Sequence, residues 1–583
     1  MDTTTDPAQL DRTAAVDPVT ASTDSARLDR TAAVDPVTAS IIRHGLDAAA
    51  DQMLVTLKRT AFSPIIYDVL DGGGALYDRR FRMLSQIQTL PMFTGSLGFC
   101  VEATCEHYAT REGLQDGDVI VVNDPYLTGT HQWDVAVIVP GFLDGELVAF
   151  AAIKAHQLDV GALAPFVSNS TDLFQEGTIY PGVKLYKAGR RDDDLYRTIL
   201  SNTRLPESAA GDLSAQAGAC RAGLRALLEL IERYGLEQFE AAVEVILDAS
   251  EAKMRERLAE LPPGRYTSTM VHEHNGLEQV MLPFEVAVEI GDGAITIDVT
   301  HAPPAQPGPV NSPRVGVISA MRCAMMALAI DDGRANEGYF RPLELRTRPG
   351  SMFDPQRPAP CALASYPMYI LIEAINEAIA QARPEYMPGG FDMCVSLVMW
   401  GLDAEGAFWA DSINVVGGAP AAAAYGDGGG PLMPVGISGL RGMSWEVWEA
   451  KTPMVVECAD YAPDSAGAGR FRGGAGIDFA VTALRDMDLT VVNERSQVPP
   501  FALAGGGTGR CNQVLVHAPD GTVEQHTKVT GLHVPEGARI EVRTGGGASF
   551  GRAEERPADE VRADIDAGYL TEPGARARYP HAF

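Results

Sequence analysis

His131 and His156 are the residues in this sequence whose surroundings most resemble a reaction centre. Only eleven histidines occur in 583 residues, so the company each one keeps is informative. His131 lies in Thr130-His131-Gln132-Trp133-Asp134, shortly after the Asn123-Asp124-Pro125-Tyr126 turn. His156 lies in Lys154-Ala155-His156-Gln157-Leu158-Asp159, at the end of an apolar run over 147–153. Two His-x-x-Asp units therefore stand at the ends of neighbouring expected strands. Neutral imidazole is a borderline nitrogen ligand and carboxylate offsets cationic charge, so the set suits a divalent metal. A metal with one open position activates water or polarises a carbonyl. The same spacing also arises by chance, with the aspartate making a surface hydrogen bond, and spacing alone leaves both open. His272 and His274 alternate on another expected strand without a recognisable acidic ligand motif.

Other catalytic templates are missing. No GxSxG elbow, HExxH helix or cysteine-nucleophile signature occurs, and Ser63 and Ser85 have no evident base partner in sequence. The glycine-rich segments 426–430, 467–476 and 505–507 are read as turns and close backbone approaches. None has the strand–GxGxxG–helix setting or the GxxxxGK[ST] pattern of a phosphate loop.

The elements that must position the histidines follow from periodicity. Asp35 and Pro36 start a helix whose apolar residues Ile41, Ile42, Leu46, Ala49, Met53, Leu54 and Leu57 recur at helical spacing. From 61 to 187 the pattern is mostly strand and turn, with strands expected over 119–123, 135–140 and 147–153. A long helical tract over 208–261 ends at Pro262-Pro263-Gly264. Strands return over 265–301, including 294–299, and further helices are expected over 315–330 and 366–382. Beyond Cys394 the chain is glycine-rich and mainly β. The expected class is α/β (mixed α+β): a large multi-subdomain body with a β-rich first part, central long helices and a glycine-rich β C-terminal part.

Composition excludes several functions. With 77 acidic against 47 basic side chains, the net charge of −30 disfavours nucleic acid and anionic membrane surfaces, whose binding draws on cationic patches. The longest apolar runs are strand-sized, well short of the roughly 20 residues a membrane span needs. The N-terminus lacks the basic and apolar regions of a secretory signal. The eight cysteines form no CxxC pair, and a cytoplasmic protein is expected. Residues 10–22 (LDRTAAVDPVTAS) recur at 28–40, an offset of 18. One extra copy is too little for a solenoid, so residues 1–34 are expected to be a duplicated, disordered leader.

Several strings together resemble the hydantoinase B/oxoprolinase family: LDGGGALYD (70–78), NDPYLTGTHQWDVAVIVPGF (123–142) and AAIKAHQLDVGALAP (151–165). So do FQEGTIYPGVKL (174–185), NTRLPESAAGDLSAQ (202–216), GAGRFRGGAGI (467–477) and NERSQVPPFALAGGGTG (493–509). The resemblance implies one family domain over 35–579, divided into a metal-bearing part (35–200), a helical and mixed part (201–390) and a glycine-rich β part (391–579). It implies a subunit of an ATP-dependent hydantoinase or oxoprolinase, hydrolysing a cyclic amide that a hydantoinase A-type ATPase partner has phosphorylated. A ketone carboxylase subunit of acetone or acetophenone type and a non-catalytic scaffold for the ATPase are the alternatives. Carried over by position, the metal ligands are Asp71, His131, Asp134 and His156, for zinc or manganese, with ATP used by the partner in a hetero-oligomer. Asp124, Asp159 and Glu176 are the expected supporting or catalytic carboxylates, with turn formation, strand-end capping and a buried ion pair as their respective structural roles. The chain departs from the family at 162–166, 300–306, 444–446 and 545–553. These positions leave the expected ligands unchanged and bear on substrate identity.

Overall fold

The computed structural model describes residues 34–109, 113–330, 334–415, 418–430, 433 and 435–583. The duplicated leader lies outside these residues except for Val34. Among the described residues are twelve α-helices and four sheets, a mixed α/β fold as expected.

The first sheet carries the histidines. Its strands are β1 (Gly72–Asp78), β2 (Met83–Gln86), β3 (Val119–Val122), β4 (Asp134–Leu143), β5 (Glu146–His156), β6 (Pro181–Lys187) and β7 (Arg190–Arg191), in the order β2-β1-β5-β4-β3-β6-β7. Every pairing in it is antiparallel. Helix α1 (Pro36–Thr60) begins where the sequence places it, with the Asp35 side chain accepting from the amides of Val37 and Thr38. It packs on β1 and β2. On the opposite face lies helix α2 (Pro91–Ala109), which contacts β1 and β5.

Helix α2 is the main exception to the expected pattern of mostly strand and turn over 61–187. Its sequence, PMFTGSLGFCVEATCEHYA, is apolar on most sides, so it lacks the one-sided stripe that marks a surface helix. Its glycines permit close packing: a Cβ on Gly95 would lie 2.3 Å from Ser319 Oγ. The Gly72-Gly73-Gly74 run of β1 has the same cause. A Cβ on Gly73 would meet Phe93 of α2 at 2.7 Å, and one on Gly74 would meet Ile153 of β5 at 2.8 Å. Layers on both sides leave no room for side chains in this part of β1.

The helical tract over 208–261 is two helices, α3 (Pro206–Tyr234) and α4 (Leu236–Ala259). Gly235 separates them with φ +79°, a left-handed conformation that suits glycine. Helix α3 packs on β4 and β5, where Gln216 donates to the carbonyls of Val135 (2.8 Å) and Ile153 (3.2 Å). Strands β8 (Gly264–Glu273), β9 (Met281–Gly291), β10 (Ala294–Asp298) and β11 (Leu343–Arg346) form the second sheet. Helices α5 (Arg314–Ala329) and α6 (Ser365–Ala382) occupy the expected positions within a residue. One continuous apolar core joins both sheets and helices α1 to α6.

The C-terminal part contains β12 (Val395–Leu402), β13 (Phe408–Val415), β14 (Met454–Tyr461), β15 (Ile477–Ala483), β16 (Met487–Asn493), β17 (Gln513–His517), β18 (Val523–Gln525), β19 (Lys528–Val534) and β20 (Arg539–Arg543). They form a sheet β13-β12-β16-β19 and a sheet β14-β15-β20-β17-β18 around a second core. The glycine-rich segments lie backbone against backbone. A Cβ on Gly473 would sit 1.9 Å from the carbonyl oxygen of Gly547, which leaves glycine as the residue that fits.

Candidate metal centre

Three neighbouring strand ends build the centre. In antiparallel pairing, residues directly opposite share a sheet face. Asp134, the first residue of β4, stands opposite His156, the last residue of β5. Asp71, just before β1, accepts through its carbonyl oxygen from the His156 amide at 3.0 Å. The strand order β1-β5-β4 therefore brings together three residues that are up to 85 positions apart (156 − 71 = 85). His131 arrives from the turn before β4, where its carbonyl accepts from the Asp134 amide at 3.1 Å.

Asp134 is the hub. Its Oδ1 is 3.1 Å from His156 Nδ1, and its Oδ2 is 3.4 Å from His131 Nδ1. The imidazoles stand nearly perpendicular, with ring centroids 5.0 Å apart. One ligand atom from each of His131, Asp134 and His156 falls within 4.8 Å of the others. Asp134 Oδ2 and His131 Nδ1 are buried, face each other and lack a hydrogen-bond partner. Buried polar atoms are normally satisfied. Two unsatisfied atoms converging in a nitrogen–oxygen donor set fit a zinc- or manganese-type cation.

The electrostatics of His131 and Asp134 agree with that use, whereas His156 and Asp71 are shifted toward their protonated forms. Burial holds His131 down to about 4, although Asp134 opposes it, so the imidazole is neutral at pH 7 as a ligand must be. Burial also acts to lower His156, but the Asp134 hydrogen bond and the charges of Asp71 and Asp134 outweigh it and raise its pKa. For Asp134, burial acts upward, yet His131, His156 and Lys154 hold the carboxyl below its ordinary value. Burial pushes the Asp71 carboxyl up to about 7, with His156 opposing and Asp134 adding to it.

The remaining expected carboxylates have other partners. Asp71 lies beside the three-residue group, outside the set of mutually close ligand atoms. Asp124 caps the one-turn helix Pro125–Thr128 by accepting from the Tyr126 amide and pairs with Arg357. Asp159 accepts from the amide of Arg204 (2.5 Å), its guanidinium (2.5 Å) and the Thr203 hydroxyl (3.1 Å). Glu176 is buried and accepts from Ser170 Oγ (2.7 Å) and the amides of Cys361 (2.8 Å) and Ala362 (2.9 Å). Burial pushes its carboxyl up to about 8 against those donors. His272 is buried with Nδ1 3.5 Å from Glu494, while His274 Nδ1 accepts from the Gly276 amide at 2.9 Å.

Two residues of the centre were missed in the sequence. Phe166 sets its ring edge-on to His131 with centroids 5.6 Å apart, and tilted against His156 and Trp133 at 6.3 Å and 4.9 Å. The preceding carbonyl, of Pro165, accepts from Trp133 Nε1 at 2.5 Å. The 162–166 departure from the family thus leaves the ligands' identities alone but forms part of their wall. Lys154 is fully buried and faces the same side of the sheet as His156; a lysine inside the apolar run AFAAIKAH was the available signal.

Comparison with known proteins agrees with this architecture. Caprolactamase subunit beta of Pseudomonas jessenii is 31% identical over 557 residues, covering 92% of this chain and 94% of that protein. The crystal structure of ATP-dependent caprolactamase from the same organism superposes with a TM-score of 0.87 at 29% identity, covering 94% of this chain and 96% of that one. A nucleotide-free acetone carboxylase structure shares the fold, with a TM-score of 0.87 at 18% identity over 94% of this chain and 79% of that one. Residues 35–553 match the description hydantoinase B/oxoprolinase, and the chain belongs to that family.

Proposed function

We propose that this chain is the metal-bearing catalytic subunit of a cytoplasmic, two-component, ATP-dependent cyclic amide hydrolase. The observation that carries the proposal is the convergence of His131, Asp134 and His156 with two buried, unsatisfied ligand atoms. The similarity to an ATP-dependent caprolactamase, one of whose chains is a subunit beta, supports a partner that handles ATP. That partner is a hydantoinase A-type ATPase, and the assembly is a hetero-oligomer.

In this scheme the amide oxygen takes the γ-phosphoryl group of ATP on the partner and ADP leaves. Water then adds to the activated ring carbon, and the C–N bond breaks with the nitrogen keeping its electron pair and gaining a proton. A second water releases phosphate from the resulting acyl phosphate. His131, Asp134 and His156 would hold a zinc or manganese ion, which when bound supplies Lewis acidity for addition at carbon. Asp134 keeps both imidazoles oriented. Phe166 and Trp133 cover the rings, restricting water and strengthening local electrostatics. Asp71 supports the three donors from beside them, through its carbonyl on the His156 amide and its carboxyl next to the His156 ring; Asp124, Asp159 and Glu176 position the surrounding loops.

Asp71→Asn is expected to weaken Co2+ binding by the purified chain about 10–100-fold, the range for polar groups that support a metal site. Unchanged affinity in a Co2+ titration would show that Asp71 lends no such support. The activity itself is tested by co-purifying the chain with its ATPase partner and assaying hydantoin, 5-oxoproline, lactam and ketone panels with and without bicarbonate. The expected result is ATP-dependent ring opening of a cyclic amide without bicarbonate. Turnover confined to ketones and dependent on bicarbonate would instead assign a carboxylase. ATP hydrolysis stimulated by a metal-free chain that turns over none of these substrates would assign a scaffold.

A further inference from the structure

Among the described residues Lys154 is a buried cation that forms no ion pair, and a buried charge without a partner must be satisfied by hydrogen bonds. Its ammonium has three N–H donors, and the structure supplies three acceptors. They are Ser96 Oγ at 2.9 Å, the Thr128 carbonyl at 2.9 Å and Thr130 Oγ1 at 3.1 Å. The ring of Phe93 lies 4.6 Å from the same nitrogen and covers its apolar side. Ser96 and Phe93 belong to α2, whereas Thr128 ends the one-turn helix Pro125–Thr128 and Thr130 lies in the segment that leads from it to His131.

The placement of these acceptors is informative. Lys154 stands two residues before His156 on β5, opposite Gly73 of β1 and Ala136 of β4. The 128–130 segment is held from its other side at Gly129, where φ is +77° and a Cβ would come within 2.7 Å of the Gly316 amide nitrogen. Strand pairing places Asp134 and His156, but no strand contains His131. The segment must therefore be fixed by other contacts for the second imidazole to reach Asp134, and Lys154 supplies two of them.

We propose that Lys154 is a positioning residue for the metal centre, holding the 128–130 segment so that His131 meets Asp134 and His156 in ligand geometry. The inference rests on the metal-binding reading of those three residues, and its test separates the two. An apolar replacement of similar length, Lys154→Met, removes the tie while avoiding a large cavity. Thr130→Val removes one acceptor at the far end of the same connection.

The experiment is Co2+ titration of the full-length purified chain, followed by visible absorption, with thermal melting of each metal-free variant. Wild-type chain is expected to bind Co2+ with ligand-field bands. Lys154→Met is expected to bind about 10–100-fold more weakly, with altered bands as the His131 contribution is lost. Thr130→Val is expected to shift in the same direction, and the double variant to lose less than the combined single losses, because both act through one contact. Wild-type affinity and spectrum in Lys154→Met, even with a lowered melting temperature, would reduce Lys154 to a packing role and overturn the proposal. If Lys154→Met does not fold, unchanged affinity and spectrum in Thr130→Val overturn it equally. Failure of wild-type chain to bind Co2+ would strike the metal reading itself, and this inference with it.

Discussion

His156→Ala chain is expected to carry no bound metal and to lose ATP-coupled turnover, while the ATPase partner keeps its own hydrolysis. His156 is the most firmly placed ligand in the centre. Its amide is tied to Asp71, its backbone pairs with Asp134, and its Nδ1 meets Asp134 Oδ1 at 3.1 Å. Truncation removes one of two nitrogen donors and leaves Asp134 with one orienting imidazole. The strand backbone is untouched, so the fold should persist. The loss in coupled rate should exceed the roughly 10²–10³-fold cost of deleting a single transition-state hydrogen-bond donor, because the site loses its metal rather than one contact. Metal analysis, coupled product formation and partner ATPase rate, measured on one preparation, check the result. Full coupled activity in a metal-free variant would contradict it.

Glu176→Ala is expected to destabilise the chain by about 4 kcal/mol, through a different mechanism. The Glu176 carboxyl accepts from the Cys361 and Ala362 amides and the Ser170 hydroxyl, all of them buried. Removing the acceptor strands three donors, each at about 1–3 kcal/mol before relaxation. The same segment is held by Asn311, which donates to the Pro360 carbonyl, and Ser312, which donates to the Ala364 carbonyl, just before α6. Loosening it disturbs the start of that helix. Glu176→Gln retains a carbonyl acceptor for most of these donors and should cost much less. Chemical denaturation of both variants distinguishes support from chemistry: a stable Glu176→Gln chain without coupled turnover would make the carboxylate a proton-transfer group.

The centre was legible in sequence to the extent that its ligands precede or end strands. The two His-x-x-Asp units look alike along the chain, yet they fold differently. Asp134 begins β4 and turns toward β5, so it meets both imidazoles. Asp159 lies three residues beyond the end of β5 and is taken up by Arg204 and Thr203. Spacing does not carry that distinction, because it depends on which strand neighbours which. The family resemblance included Asp71, whose approach is set by the pairing of β1 with β5.

Helix α1, with one apolar side, was predictable, and α5 and α6, buried on nearly every side, also fall close to their expected positions as largely apolar runs of helix length. Helix α2 was not, because it lacks a polar stripe and Gly95 and Gly98 interrupt its helical pattern. Phe166 and Lys154 were missed for a related reason. Their importance comes from what the fold places opposite them, and neither belongs to a ligand motif.

The most direct test of the account is the divalent metal content of the purified full-length chain, before and after chelation, alongside ATP-coupled turnover with its partner. The account predicts about one zinc or manganese ion per chain, the number one three-residue centre can hold. Chelation should abolish coupled turnover, and readdition of the metal should restore it. A chain that binds no divalent metal yet supports full coupled turnover would contradict the account.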